Sequence, residues 1–280
     1  MQCMNVVDEG RNGASSHAFK HVWPLLVEQR ARALEHSDVS ADPLTALYEP
    51  LLRHPGPRPF IIAQIGQSLD GRIATPTGKS RYINGSAGLD HLHRLRALVD
   101  AVVVGVGTVL ADDPQLTTRR VEGRSPTRVV IDRSGRTPRD AKWLCHDGCD
   151  RIVFSENEAG WPDAVERIGT ELDPDAFEPA RLVAALAARG HHRILIEGGA
   201  ATVSRFIDAG MIDRLHICLA PMILGSGRAA LDLRPIDNLC DAIALRACPY
   251  LLDDGSVLYD CDLRGDDPRS DAGGGSHGDA

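Results

Sequence analysis

The sequence predicts an α/β fold with a mostly parallel central sheet, helices on both faces and an antiparallel hairpin at one edge. Two observations lead to this prediction. From Phe60 to Leu263, short apolar runs alternate with segments of helical periodicity, which is typical of parallel strands joined by helices. Near the end of this region, two strand-like runs follow each other with no helical pattern between them, so we expect them to pair antiparallel.

Eight apolar runs are the candidate strands. They are short and bounded by turn residues, as expected for the strands of a buried sheet. Those of the parallel part are Phe60–Gln64, Ala101–Gly105, Thr127–Ile131, Arg151–Phe154, Ile194–Glu197 and Arg214–Leu219. The late pair lies near Ala242–Ala247 and Val257–Leu263.

Three segments between the strands have the periodicity of amphipathic helices, namely Ala87–Val99, Ala180–Arg189 and Thr202–Ala209. A further helix is predicted before the sheet, where Asp42 can cap a helix that has Pro43 at its first position. Its apolar face consists of Leu44, Leu47, Tyr48, Leu51 and Leu52. Pro50 falls within this pattern and is expected to end or kink the helix.

Composition divides the chain into three parts. Residues 1–59 form a partly helical N-terminal extension, of which residues 1–17 are polar and expected to be mobile. Residues 54–59, which include three prolines, mark the boundary with a single domain at 60–264. The glycine-rich segment 265–280 is expected to be a disordered tail.

Charge and cysteine content limit the possible functions. The formal net charge of −8 disfavours binding to nucleic acid, so a phosphate ligand must meet a local basic patch. The seven cysteines are scattered without a Cys-x-x-Cys pair, which indicates neither disulfides nor zinc and favours the reducing cytoplasm. The longest apolar run, Ala101–Ala111, is too short to span a bilayer, and we expect neither export nor membrane insertion.

Two glycine-bearing loops are the main candidates for a phosphate site. Gly105 and Gly107 follow one apolar strand, and Gly198 and Gly199 follow another. Each pair allows the backbone to approach a diphosphate and is followed by the N-terminus of a helix, Thr108 in the first case and Ala200-Ala201-Thr202 in the second. We expect the two loops to lie side by side at one edge of the sheet.

Each loop also has a simpler interpretation. The first misses the dinucleotide fingerprint, because Ala111 falls one residue late, and an ordinary strand-to-helix turn would explain it. Glu197, just before the second loop, could accept hydrogen bonds from a polar ring or could be a salt-bridged acid at a strand end. Asp70, in an Asp-Gly pair, is interpreted as a turn residue.

A set of arginine and hydroxyl side chains could provide the basic patch, namely Arg72, Ser80, Arg96 and Arg119. Asp132-Arg133-Ser134 follows the strand that would meet an adenosine ribose. Arg133 and Ser134 there would favour a 2′-phosphate, although a simple turn into Gly135 fits the same residues. His91 and His93 are two residues apart and do not share a helix face as metal ligands would, so no metal site is predicted.

Seven motifs occur in one order along residues 60–263. They are Ser-Leu-Asp-Gly-Arg (68–72), Gly-x-Ser-x-Tyr-Ile (78–83), Leu-Arg-Ala (95–97), Gly-x-Gly-Thr-Val-Leu-Ala-Asp-Asp-Pro-x-Leu-Thr (105–117), Val-Ile-Asp-Arg-Ser-Gly-Arg (130–136), Glu-Gly-Gly (197–199) and Ala-Pro-x-x-Leu-Gly (220–225). Together they resemble the pyrimidine reductase domain of riboflavin biosynthesis, which has a dihydrofolate-reductase-like fold. The resemblance implies that NADPH delivers a hydride to the sugar carbon of a phosphoribosylamino-pyrimidine and so opens the ribose to a ribityl chain.

The resemblance also assigns roles by motif position. The implied substrate contacts are Ser80, Arg96, Leu116, Arg119 and Glu197, with the arginines toward the substrate phosphate. The implied NADPH contacts are Gly66, Tyr82, Thr108, Asp112 and the helix start at 199–205. No catalytic acid or base is nominated, because hydride transfer is the work of the cofactor. Relatives are commonly dimers, and the apolar face of the helix at 44–52 would need a cover, so a homodimer is expected.

Departures from the family keep other functions open. The zinc deaminase motifs His-x-Glu and Pro-Cys-x-x-Cys of bifunctional relatives do not occur, so deamination is not predicted. One alternative is a dihydrofolate-type, pterin or specialised-pathway reductase on the same fold. Another is a catalytically silent nucleotide-binding module whose N-terminal helices dock a partner.

Overall fold

A computed structural model of the chain describes residues 23–24, 26–28, 43–53, 56–81, 83–158, 160–169 and 178–264. Asp42, Tyr82, the N-terminal segment 1–17 and the tail 265–280 lie outside these residues. The chain divides into two compact units, Met1–Pro55 and Gly56–Ala280, which are described separately.

The first unit contains helix α1, Pro43–Leu52, at the position predicted from the sequence. The helix continues past Pro50 to Leu52. Leu47, Tyr48 and Leu51 are buried, and the ring of Tyr48 meets that of Trp23 edge-on at 6.0 Å. Because this apolar face is already buried in the single chain, it does not by itself call for a second subunit.

The second unit is built on a mostly parallel sheet. Its described strands are β1 Phe60–Ser68, β2 Arg72–Ala74, β3 Ala101–Gly105, β4 Thr127–Ile131, β5 Arg151–Phe154, β6 Glu166–Ile168, β7 Arg193–Glu197, β8 Arg214–Ala220, β9 Arg228–Ala229, β10 Arg246–Leu251 and β11 Val257–Asp262. Within the described residues, nine of them form one sheet in the order β10-β11-β8-β1-β7-β3-β4-β5-β6, and β2 pairs with β9 separately. Among the described strands of the large sheet, the pairs β10–β11 and β11–β8 are antiparallel and all other pairs are parallel.

Helices cover both faces of this sheet. They are α2 Ser86–Leu98, α3 Val106–Asp112, α4 Pro179–Ala187 and α5 Ala200–Asp208. Leu182 and Leu186 of α4 and Phe206 of α5 belong to one apolar core with strand residues such as Val103 and Val129. The opposite face carries the even-numbered residues of β1 and β8, and α2 contacts it there through His91, which is hydrogen-bonded to His216 of β8. This architecture confirms the predicted fold class.

The predicted elements agree closely with the observed ones where apolar periodicity is strong. The exception is the late strand expected at 242–247. It begins instead at Arg246, because its pairing with β11 starts at Asp262, and Ile243 and Leu245 before it are exposed. Three very short strands, β2, β6 and β9, were not predicted, since two or three residues carry little periodicity. The helix start expected at the first glycine loop is present as the short helix α3. None of the described helices is long and apolar enough to cross a membrane.

Candidate functional site

The two glycine loops interlock at the carboxyl edge of the sheet, as predicted. They follow the neighbouring parallel strands β3 and β7, and the backbone N–H of Gly199 donates a hydrogen bond of 3.0 Å to Thr108 Oγ1. Gly198 has a φ of +95°, and a Cβ there would lie 2.5 Å from Thr108 Oγ1. A Cβ on Gly105 would lie 2.5 Å from Thr202 Oγ1. Glycine is therefore required on both loops for this close approach.

A cavity of about 690 Å³ opens beside the interlocked loops. It is bounded by the first loop, by the first turns of α5 and by the turn that follows β4, so it lies across the carboxyl ends of β3 and β4 and the start of α5. Ligands of open α/β sheets bind at this edge. Of the predicted cofactor residues, the cavity brings together Gly105, Gly107, Arg133, Ser134, Ala201 and Thr202. Thr108, Gly198, Gly199 and Ala200 form the loops themselves and do not line it.

The cavity is positively charged although the chain as a whole is acidic. Arg133, Arg136 and Arg205 line it together with a single acid, Glu156. Arg133 Nε lies 3.5 Å from Glu156 Oε1. Neither Arg136 nor Arg205 has an ion-pair partner within the described part of the chain. Two guanidinium groups are therefore available to an anionic ligand. They form a local basic patch of the kind that a phosphate ligand of this acidic chain would need.

The turn after β4 satisfies both interpretations of the segment 132–135. Asp132 is buried, and its carboxylate accepts hydrogen bonds from the N–H groups of Arg136 at 2.9 Å and Thr137 at 2.7 Å. Gly135 follows with a φ of +67°. The side chain of Asp132 thus stabilises the turn by these hydrogen bonds, while Arg133 and Ser134 line the cavity. The carboxylate of Asp132 is already engaged and is not presented to a ribose hydroxyl.

Arg96 and Glu197 form a buried pair close to the second loop. Arg96 Nε donates to Glu197 Oε1 at 2.7 Å and Arg96 Nη2 to Oε2 at 2.6 Å, while Nη1 donates to the carbonyl of Thr117 at 3.1 Å. The salt-bridge interpretation of Glu197 is therefore correct. Every guanidinium nitrogen of Arg96 has a partner, so this arginine is not a free phosphate-binding group here. Direct substrate contacts of the two residues stay a prediction.

The loop between α3 and β4 adopts an unusual backbone. Asp113 and Leu116 have φ angles of +43° and +59°, which cost a non-glycine residue about 1–2 kcal/mol each. Leu116 was expected to contact substrate, but it is 0% exposed and offers no surface to a ligand in this conformation. Its side chain instead anchors the loop, because burial of a leucine offsets backbone strain of this size.

Arg119 lies further along this loop, and the positive charge of its side chain is largely uncompensated by neighbouring groups. Its Nη1 donates to Thr117 Oγ1 at 3.5 Å, and it has no ion-pair partner among the described residues. Burial, together with the charges of Arg96 and Arg120, lowers the pKa of Arg119, and the nearby charge of Glu197 opposes this. An arginine stays protonated under such a shift. Arg119 is therefore an available cation close to the Arg96–Glu197 pair.

Ser80 and Asp112, predicted to contact different ligands, contact each other. The hydroxyl of Ser80 donates to Asp112 Oδ1 at 2.5 Å, and Arg81 Nη2 donates to the carbonyl of Asp112 at 2.9 Å. Gly66 lies against Asn84, whose side chain occupies the space that a Cβ would need. Arg72, in contrast, donates to the carbonyl of Gly227 in the small ribbon of β2 and β9. The ligand contacts proposed for Ser80, Asp112, Gly66 and Tyr82 stay predictions.

Sequence reasoning missed Gln64, which lies beside Glu197 in the pairing of β1 with β7. It is 4% exposed, and its Nε2 is buried without a hydrogen-bond partner in the described part of the chain. A buried unpartnered amide is uncommon and calls for an explanation, such as a ligand. The only available signal was a polar residue within the apolar run 60–65. The cavity residues Arg136 and Asn157 were given no role either, although Arg136 closes the motif at 130–136. Asn157 is an isolated polar residue outside the quoted motifs.

Comparison with known proteins gives a consistent result. The model of the RibD C-terminal domain family matches residues 59–250. The chain is 36% identical over 198 residues to the 2,5-diamino-6-ribosylamino-4(3H)-pyrimidinone 5′-phosphate reductase of Methanothermobacter thermautotrophicus, which covers 67% of this chain and 90% of that protein. It is 32% identical over 189 residues to the riboflavin biosynthesis protein RibD of Mycobacterium tuberculosis, covering 66% of this chain and 49% of RibD. The chain thus spans about half the length of this RibD relative.

Solved structures agree in fold. The deaminase/5-amino-6-(5-phosphoribosylamino)uracil reductase of Thermotoga maritima superimposes with a TM-score of 0.63 at 29% identity, covering 73% of this chain and 56% of that one. RibD of Acinetobacter baumannii gives a TM-score of 0.65 at 26% identity, covering 79% and 63%. These similarities confirm the fold class that the resemblance implied.

Proposed function

Because the chain belongs to the RibD C-terminal domain family, we propose that it is an NADPH-dependent reductase that converts the ribosyl group of a phosphoribosylamino-pyrimidine to ribityl. The observation that carries this proposal is the pair of interlocked glycine loops beside an arginine-lined cavity. The relative from Methanothermobacter thermautotrophicus, named as a reductase of a ribosylamino-pyrimidinone 5′-phosphate, supports the same substrate class, and the match covers 90% of its length.

The choice of NADPH over NADH is argued from the cavity. Arg133, Ser134 and Arg136 surround the position where an adenosine ribose would meet the carboxyl end of β4. A phosphate on that ribose would find two guanidinium groups and a hydroxyl. A free ribose hydroxyl would find no carboxylate from Asp132, which is occupied by the turn. When bound, the cofactor supplies the hydride.

The other residues of the site bind and orient the substrate. Arg119 is the proposed ligand of the 5′-phosphate, because it is a cation without a counter-ion in the described residues. The pair Arg96–Glu197 and the unpartnered amide of Gln64 lie where a polar heterocycle could pair with them. The reaction breaks the bond between the sugar ring oxygen and the carbon that bears the amino nitrogen; this carbon receives the hydride, and the oxygen receives a proton. Orientation and charge compensation are the contributions of the protein.

The test is to follow the loss of reduced-nicotinamide absorbance with two substrates, the phosphoribosylamino-uracil and the 2,5-diamino-pyrimidinone 5′-phosphate. Turnover of either one, strongly reduced by Arg119→Ala, supports the proposal. NADPH binding without turnover of either substrate would exclude this substrate class, and dihydrofolate is then the substrate to offer. A protein that fails to bind NADPH in a fluorescence titration would instead fit the silent-module alternative.

We further propose a homodimer in the cytoplasm. Leu239, Ile243 and Leu251, at or next to the edge strand β10, are 87%, 52% and 66% exposed, and apolar groups at a sheet edge favour association. The cysteines within the described residues are free thiols, as expected in a reducing compartment. Sedimentation of the full chain and of Leu239→Glu would test the dimer, which a monomeric wild-type protein would contradict.

A further inference from the structure

The buried side chain of His93 is hydrogen-bonded to the backbone of Arg119, the proposed anion-binding arginine. His93 lies on α2, and its Nδ1 accepts a hydrogen bond of 3.1 Å from the backbone N–H of Arg119. His93 is buried, whereas the side chain of Arg119 is open to solvent. The histidine therefore acts on the backbone of Arg119 and leaves its guanidinium free for a ligand.

The loop that carries Arg119 needs such external support. Its positive φ angles at Asp113 and Leu116 are unfavourable for non-glycine residues, and strained backbone persists only where the surroundings hold it. Helix α2 provides two hydrogen bonds to the backbone of this loop among the described residues, in addition to the contacts of Asp90 and Ser86 with the side chain of Arg120. Arg96 donates to the carbonyl of Thr117, and His93 accepts from the N–H of Arg119. The two contacts are two residues apart and bracket the segment from which the Arg119 side chain leaves.

The acceptor role requires a neutral imidazole. Burial, and then the charges of Arg96, Arg119 and Arg120, lower the pKa of His93 to about 3. The ring therefore stays neutral at physiological pH, with its lone pair on Nδ1 and, by elimination, its proton on Nε2. A protonated ring would lose this hydrogen bond and add a further positive charge among the arginines.

We propose that His93 is a positioning residue of the anion site, which holds the 113–119 loop so that Arg119 is aimed at the phosphate of the substrate. This inference rests on the proposed function, in which Arg119 binds that phosphate. It predicts that removal of the acceptor weakens phosphate-dependent binding and leaves hydride transfer from a bound substrate nearly unchanged.

Three substitutions of His93 separate positioning from packing. In His93→Asn, Oδ1 takes the place of Nδ1 and can still accept the N–H of Arg119. In His93→Gln the acceptor lies one bond further out, and His93→Leu has none. Loss of one hydrogen bond predicts an increase of about tenfold in KM for the phosphorylated substrate with Gln and Leu, with kcat and the Kd of NADPH near wild type. In His93→Asn, which keeps an acceptor in place, the KM should stay close to that of the wild type.

A second measurement needs no turnover. Inorganic phosphate is titrated into each variant by calorimetry, with Arg119→Ala as the positive control. Arg139→Ala is the matched control, because Arg139 lies over the ring of Trp161 and is not among the charges that act on Arg119 or His93. Weaker phosphate binding in Arg119→Ala, His93→Gln and His93→Leu, with Asn and Arg139→Ala near wild type, supports the inference. If Leu fails to fold, as judged by thermal unfolding, Gln against Asn decides the matter.

The failures of the two proposals are distinguishable. A wild-type protein that turns over neither pyrimidine contradicts the proposed function, and the phosphate titration still reports on His93. If Arg119→Ala weakens phosphate binding but His93→Gln behaves like His93→Asn, Arg119 binds the anion without help from His93 and the inference is overturned. It is equally overturned if the His93 variants lower kcat and leave KM unchanged.

Discussion

Arg96 and Glu197 face each other in a two-point salt bridge, with side chains 6% and 7% exposed. The pair joins helix α2 to the carboxyl end of β7, directly before the Gly198–Gly199 loop. It therefore connects helix α2, which holds the loop that carries Arg119, to the glycine loop that interlocks with Thr108 beside the cavity.

Replacing Glu197 by alanine should destabilise the protein by about 3–5 kcal/mol, because it leaves the charge of Arg96 buried without its partner. Urea unfolding monitored by circular dichroism measures the change in the free energy of unfolding. The double variant Glu197→Ala with Arg96→Leu should recover part of this loss, since neither charge then remains. If the loss of unfolding free energy caused by Arg96→Leu alone adds in full to that caused by Glu197→Ala, the two residues are not coupled.

This pair also shows what the sequence could not predict. The partners are 101 residues apart, and nothing in the local pattern of either one indicates the other. The strands β1, β3, β4, β5, β7 and β8 were predictable because their apolar runs are long enough to show a period or a buried core. The glycine loops were predictable because their residue types and their place after strands have a physical meaning of their own.

Other parts of the site depend on tertiary packing. His93 was dismissed as a metal ligand from its spacing, but only the folded chain brings it to the backbone of Arg119. Arg136 and Arg205 come from a turn and a helix 69 positions apart and meet only across the cavity. Leu116 was assigned by motif position to a substrate contact, and only the folded chain shows that this residue is completely buried.

The basic cavity predicts a preference for the phosphorylated cofactor. Arg136→Ala should raise the Kd of NADPH by about tenfold or more, because a charge-assisted hydrogen bond contributes about 1.5–3 kcal/mol. The Kd of NADH should change little, since it lacks the 2′-phosphate. Calorimetric titration of both cofactors checks this. Arg139→Ala is the matched control, because Arg139 lies over the ring of Trp161 and does not line the cavity. Equal weakening of both cofactors would place Arg136 elsewhere on the ligand.

The contact between the two glycine loops predicts that Gly198→Ala is more damaging than an ordinary glycine substitution. The new Cβ would strike Thr108 Oγ1, and a displaced Thr108 could no longer accept the N–H of Gly199. Both the free energy of unfolding and the affinity for NADPH should fall.

Gly190→Ala separates the two effects. Gly190 has a φ of +82° but open space around a Cβ, so the variant carries only the backbone strain of about 1–2 kcal/mol. It should bind NADPH as the wild type does. Equal losses of stability and equal NADPH affinities in the two variants would show that the contact with Thr108 has no special role.

The Asp70 carboxylate predicts a pH-dependent contribution to stability. It accepts hydrogen bonds from the Ser68 hydroxyl at 2.6 Å and from the N–H groups of Leu224 at 3.0 Å and Gly225 at 2.7 Å. The Ser68 bond foremost, followed by the Leu224 bond, lowers the pKa of Asp70 from 3.8 to about 2. Asp70 is thus more than a turn residue, because it ties the turn after β1 to the loop after β8.

The sign of the effect follows from linkage. A carboxyl group whose pKa is lower in the folded state stabilises the protein fully above its unfolded pKa, here near 3.8, and this stabilisation is lost as the pH falls toward 2. The stability difference between wild type and Asp70→Asn should therefore be constant above about pH 5 and shrink between pH 4 and 2. Urea unfolding at a series of pH values measures it. Asp237→Asn, at an exposed position, should show no such change. A difference that stays constant down to pH 2 would mean that the carboxylate of Asp70 does not hold the loop.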